Sequence, residues 1–274
     1  MDTDTPVTTV KTLQLCGLLL LIAACSTSDD NGPDCRYDEA WLSGECSVDW
    51  PPLVPPSGIW RGTDSAGQDV LILVSADGAF RFVDASRNQG AGFMFSTDSD
   101  IASGFDLVTP LHGAFSDGTT LANCNFRGSF VERQRLDVAQ SCVTTQGLPI
   151  SEQLVLDYDP LYERGSSLAA ISADYQAVSG SVLSVAADGE LFMQDPSTGC
   201  ITNGRFRLID SAANLYNVSL QFESCTGPDA VLNGSSFDGL AFLDDTDAPG
   251  TLVIAVIGDV EGAPVSSFER AARM

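Results

Sequence analysis

The sequence predicts an all-β protein: two antiparallel β-sandwich or β-barrel units, related by a distant internal duplication and carried on a flexible tether. Three observations predict it. Tyr216, Val218, Leu220 and Phe222 alternate with Asn217, Ser219 and Gln221, the period of a strand with one face in a core. Asp77-Gly78 and Asp188-Gly189 each follow one apolar run and precede another; glycine takes positive φ readily, so Asp-Gly marks a hairpin. Long helical periodicity is absent, and only a short helix is expected, from Ser166 through Leu168 and Ala170.

The individual strands follow from the same patterns. Runs at 70–74, 181–185, 240–243 and 251–257 are apolar and bounded by Gly, Asp, Asn or Ser. Residues 205–210 and 215–222 form a hairpin across the turn Ser211-Ala212-Ala213-Asn214, and 125–131 with 136–140 form another. The chain has 274 residues, room for one large or two ordinary domains, and 44% are hydrophobic, enough for a sizeable core. The expected division is 1–24 as a removable leader and 25–56 as tether and spacer. Residues 57–160 form a first β unit and 161–274 a second.

The net charge of -24 excludes a nucleic-acid partner, because phosphate binding needs clustered Lys and Arg. It also disfavours electrostatic docking on anionic lipid. Lys11 is the only lysine and lies in the expected leader, which removes Schiff-base and phosphate-loop chemistry from the mature chain. His112 is the only histidine, so a multi-histidine metal site is excluded within one chain.

Residues 13–24, LQLCGLLLLIAA, are too few to span a bilayer, which takes about 20 apolar residues, and fit the apolar region of a signal peptide. The stretch ends Leu21-Ile22-Ala23-Ala24-Cys25. This resembles the lipobox of bacterial lipoproteins. The resemblance implies cleavage before Cys25, diacylation of its thiol and a lipid anchor, with about 0.8 kcal/mol per buried methylene holding the chain to the membrane. Ser26 rather than Asp after the cysteine implies export to the outer membrane of a Gram-negative cell. Asp2 and Asp4 are foreign to a basic leader, so translation from Val10 is expected instead of Met1.

The cysteines number eight. With Cys16 lost in the leader and Cys25 lipidated, Cys35, Cys46, Cys124, Cys142, Cys200 and Cys225 remain, a parity that fits an oxidising compartment. In an antiparallel hairpin the residue entering the first strand lies beside the residue leaving the second. That pairs Cys200 with Cys225 and Cys124 with Cys142, each stapling the open end of a hairpin, and leaves Cys35 with Cys46 as a small loop near the tether. The run Pro51-Pro52-Leu53-Val54-Pro55-Pro56 is a stiff spacer.

The duplication rests on the two Asp-Gly turns, on Trp60 and Tyr175 before them, and on C-N-F-R-G-S-F from Cys124 against C-I-T-N-G-R-F from Cys200. On that alignment residues 84–123 are an insertion in the first copy. Its aromatic residues Phe93, Phe95 and Phe105, with Leu107, are expected in the core at period two. If exposed, Phe93, Phe95 and His112 contact a ligand or partner, together with Trp60. Gly58-Ile59-Trp60 ahead of a hairpin resembles the opening strand of calycin barrels, which implies a carrier of a small apolar ligand. The wider pattern is similar to secreted β-domain lipoproteins of Gram-negative bacteria, a likeness that implies compartment and fold.

Catalytic signatures are missing. There is no G-x-S-x-G elbow, no glycine-rich phosphate loop and no dinucleotide fingerprint. The 37 acidic residues offer too many carboxylate pairs to single one out. The acidic runs at 29–34 and 244–247 lack the EF-hand ligand pattern and read as solvated turns. No catalytic residue, metal ligand or cofactor is expected. The expectation is a non-enzymatic, membrane-anchored envelope lipoprotein that binds an envelope protein, with a carrier of a small apolar ligand as the alternative and a hydrolase using acidic residues behind both.

Overall fold

A computed structural model describes residues 54–97, 100–110 and 120–274, which belong to one compact unit. Cys25, Cys35, Cys46 and His112 lie outside the described residues. The described chain folds into two closed, eight-stranded antiparallel β-barrels.

Barrel one is a meander. Its strands are β1 (Gly58–Thr63), β2 (Asp69–Val74), β3 (Ala79–Val83), β4 (Gln89–Phe93), β5 (Phe95–Thr97), β6 (Asp100–Val108), β7 (Thr120–Val131), β8 (Arg135–Thr144) and β9 (Pro149–Asp159). β1 pairs with β9, and β4 pairs with β6 through Gly90↔Leu107, so the sheet closes; β4 and β5 pair with successive parts of β6 and together take one of the eight places in the ring. The stretch read as an insertion therefore supplies β4, β5 and β6, without which this barrel has an open edge. The cysteine-based alignment fails for the same reason: Cys124 lies within β7, past those strands, whereas Cys200 stands just before the strand that follows the second Asp-Gly hairpin.

Barrel two has β10 (Ala173–Gln176), β11 (Val182–Val185), β12 (Glu190–Gln194), β13 (Ile201–Leu208), β14 (Tyr216–Glu223), β15 (Ser236–Asp244), β16 (Thr251–Val260) and β17 (Ala263–Arg273). β10 closes on β17 through Tyr175↔Arg273. The Asp-Gly turns occupy equivalent places, between β2 and β3 and between β11 and β12, with Gly78 and Gly189 at φ 85° and 87°. Trp60 and Tyr175 sit in the opening strands, and both are fully buried. Each donates to a carbonyl four residues earlier: Trp60 Nε1 to Pro56 O at 2.8 Å, Tyr175 Oη to Ile171 O at 2.8 Å. A buried indole or phenol needs such a partner.

Strand composition reports which faces are covered. β14 alternates because its inner residues Tyr216, Val218 and Phe222 fill the lumen while Asn217 and Gln221 lie outside. β2 and β16 are apolar in both directions because both faces are buried. Ile59, Leu71, Leu73 and Val83 on the outside of barrel one pack with Leu240, Phe242, Val253 and Ala255 on the outside of barrel two. Arg61 pairs with Asp159 of its own barrel at 2.6 Å and across the seam with Asp244 at 2.9 Å, and its guanidinium stands 5.2 Å from the centre of the Phe242 ring. Burial works to raise the Asp244 carboxyl, but hydrogen bonds from Thr246 and the Arg61 charge outweigh it and hold the group below its ordinary range.

Both expected disulfides with described residues are formed, Cys124–Cys142 and Cys200–Cys225. The second closes the open end of the β13–β14 hairpin, as the pattern implies. The first bridges directly facing residues inside β7 and β8, because both strands continue past the cysteines.

Candidate functional site

The two lumens differ. Barrel one is packed with aromatic rings: Phe80, Phe82, Phe105 and Phe126 meet one another, with Phe105 and Phe126 centred 4.4 Å apart. Room for them comes from β4. The even positions of that strand face inward, and a Cβ on Gly90 would lie 2.2 Å from the Phe105 ring. This corrects the placement of Phe93 and Phe95. The inward positions go to Gly90, Gly92 and Met94, so Phe93 is 61% exposed on the outer face, stacked with half-buried Phe95 at 6.3 Å. Phe105 and Leu107 are buried as expected. Trp60 is inside the same lumen, edge-on to Tyr158, so it does not meet Phe93 and Phe95. Gln140 is a polar exception there: its Nε2 lies 3.2 Å from Cys142 Sγ and its Oε1 is buried without a partner.

Barrel two is closed at one end and clefted at the other. The closed end is corked by the helix α1 (Leu168–Ile171), capped by Ser167, whose Oγ accepts from Ala170 N at 3.1 Å. Ile171 is fully buried in the lumen cluster. Tyr216 Oη donates to Ser167 O, and Arg273 Nη2 donates to Ala170 O, which hold the cork in place.

The opposite end carries a cleft of about 140 Å³. Leu183, Leu191, Met193, Phe222, Ile254 and Val256 form its apolar wall. A 3-10 turn at Gly227–Leu232 lies over it and lowers Leu232 into the wall. Three ties hold this cover. The Cys200–Cys225 disulfide anchors its start. Thr226 N and Oγ1 donate to Thr198 O. Asn233 accepts from Cys225 N at 2.8 Å and donates back to Cys225 O at 3.0 Å. The rim includes Asp195, Asp229 and Glu269; Glu269 Oε1 accepts from Val178 N at 2.8 Å. An apolar wall under a polar rim suits a small apolar group and repels an anionic one.

The cysteine spacing singled out the pair that anchors the cover. The cleft itself was missed, because inward-facing Leu and Val read the same whether a lumen is filled or hollow. The acidic run at 244–247 is engaged by basic side chains: Asp244 with Arg61 and Asp245 with Arg164. Among the described residues no group of three His, Cys, Asp or Glu side chains is placed to hold a metal. No protein-family profile matches the chain, and neither a curated protein nor a solved structure shows significant similarity to it.

Proposed function

We propose that this chain is a non-enzymatic binding module of the bacterial outer membrane, anchored by lipid on Cys25, whose second barrel receives a small apolar group. The observation that carries the binding reading is the contrast between lumens. Barrel one is filled by four phenylalanines, while barrel two keeps an apolar cleft under a tied cover. The cleft volume of about 140 Å³ is close to that of an engineered apolar cavity, about 150 Å³, that stays dry and takes up benzene. A ligand of that size, or one apolar side chain of an envelope partner, matches the space. The compartment reading rests on the lipobox-like residues and is favoured by the two disulfides, which persist in oxidising surroundings.

The test is the thermal midpoint of the full chain in mild detergent, with and without toluene. Binding to the folded state raises the midpoint, and Leu183→Trp, which fills the cleft, abolishes the rise. A midpoint that toluene leaves unmoved in the unmodified chain sinks the reading. Anchoring is checked separately: Cys25→Ser releases the protein from membranes, and membrane association that persists argues against a lipid anchor.

A further inference from the structure

The outer face of barrel two carries a second kind of surface. Cross-strand registers align Ser184, Phe192, Asn203, Gln221 and Ser236 in one row across β11 to β15. Glu190, Arg205, Ser219 and Asp238 form the next row, and Arg207, Asn217 and Leu240 the one after. At about 4.8 Å between strands, the first row is roughly 19 Å long. Shallow depressions run along these rows and share residues: Asn203 and Arg205 belong to one depression with Phe192, and Ser219 and Asp238 to two others.

The depression of about 260 Å³ beside barrel one gathers positive charge. Arg81 reaches it from β3, and Arg205 and Arg207 from β13. Arg205 pairs with Glu190 at 2.7 Å. Arg81 Nη2 donates to Asp238 O at 3.0 Å, while its Nε is buried without a partner. Arg207 is exposed and has no ion-pair or hydrogen-bond partner among the described residues. Within this depression three guanidiniums face Glu190 and Asp238, an excess of one positive charge in a chain of net charge -24, whereas on the first row Asp174 accepts from Ser184 Oγ at 2.7 Å and Glu223 accepts from Asn203 Nδ2 at 2.6 Å. At the far end of the face Phe192 is 47% exposed.

We propose that this face binds an acidic saccharide chain, with a uronate carboxylate on Arg205 and Arg207. The planar guanidinium fork matches a carboxylate. The amides of Asn217 and Gln221 and the hydroxyls of Ser219 and Ser236 both donate and accept, as sugar hydroxyls require. The Phe192 ring offers an apolar surface to the C–H face of a sugar ring. The arrangement is independent of the cleft in the lumen.

Affinity electrophoresis of the full chain in mild detergent tests this, in gels cast with alginate, neutral dextran or polyglutamate. Retardation is expected in alginate and not in dextran. Arg205→Ala combined with Arg207→Ala is expected to weaken it about tenfold, the loss of one to two charge-assisted hydrogen bonds. Both side chains are exposed, so the fold is kept; Phe192→Ser, also at an exposed position, weakens retardation as an independent check. Leu183→Trp leaves it unchanged, which separates this face from the lumen cleft. Absence of retardation in alginate, equal retardation in dextran, or full retardation of the arginine variant overturns the proposal. Equal retardation by polyglutamate overturns the saccharide assignment in favour of an acidic peptide.

Discussion

Barrel one and barrel two share a meander of eight strands, a closing first-to-last pairing and an Asp-Gly turn in the same place, yet among the described residues their lumens differ: the first is packed with phenylalanine rings and the second carries a cleft. The difference comes from the side chains that face inward. In barrel one, glycines on β4 leave space that the rings of Phe105 and Phe80 occupy. In barrel two the inner wall near the covered end is built from Leu183, Leu191, Met193, Ile254 and Val256 with Phe222, and a cleft of about 140 Å³ remains among them. Helix α1 corks only the other end. Barrel two buries rings as well, Tyr175, Phe206, Tyr216, Phe222 and Phe237, so the contrast lies in where the rings stand along the lumen rather than in how many there are.

The sharpest way to break this comparison is to empty the solid barrel. Trp60→Ala removes a fully buried indole and its bond to Pro56, and should cost about 3–5 kcal/mol in denaturant unfolding. A loss under about 1 kcal/mol would mean the lumen is not packed as described. Next come the disulfides. Replacing Cys124 and Cys142 with serine, or Cys200 and Cys225, should each cost about 3 kcal/mol, since the closed loops are of similar length. The two should part in hydrogen exchange: only the second pair frees residues 224–235 over the cleft, and equal protection of that segment in both variants would sever the disulfide from the cover.

Gly90→Ala sharpens the comparison further. Its Cβ would press on the Phe105 ring, at an overpacking cost of about 1–3 kcal/mol, whereas Phe105→Leu in the same chain should recover part of the loss. No recovery would refute the steric account. The smallest effect concerns the seam. Because the folded Asp244 carboxyl is held below its ordinary range, its contribution is complete above an unfolded pKa of about 4 and is lost as pH falls through the lowered value. Asp244→Asn should flatten the decline of stability in that acid window. An unchanged acid limb would remove the Arg61–Asp244 pair from the account.

Much of this was legible in the residues. Alternation placed β14, apolar runs placed β2 and β16, and hairpin logic paired Cys200 with Cys225. Period two alone could not say which parity faces inward on β4, and it put Phe93 and Phe95 in the core. The glycines at 90 and 92 were the available signal, since a small residue beside a bulky one on a facing strand marks where a ring inserts. Residues 84–123 are not an insertion, because a short cysteine motif does not set the alignment across strands that the pairing of β4 with β6 makes integral.

By itself the sequence determined the β class, the two-unit plan, the Cys124–Cys142 and Cys200–Cys225 pairs and the acid balance, because these depend on local period, turn chemistry and composition. Only the tertiary structure decided that the sheets close into barrels, that one lumen is filled and the other clefted, and that arginines from β3 and β13 meet in one groove. Those features depend on strand register and on side chains far apart in the chain reaching the same space, and no local pattern encodes that distance.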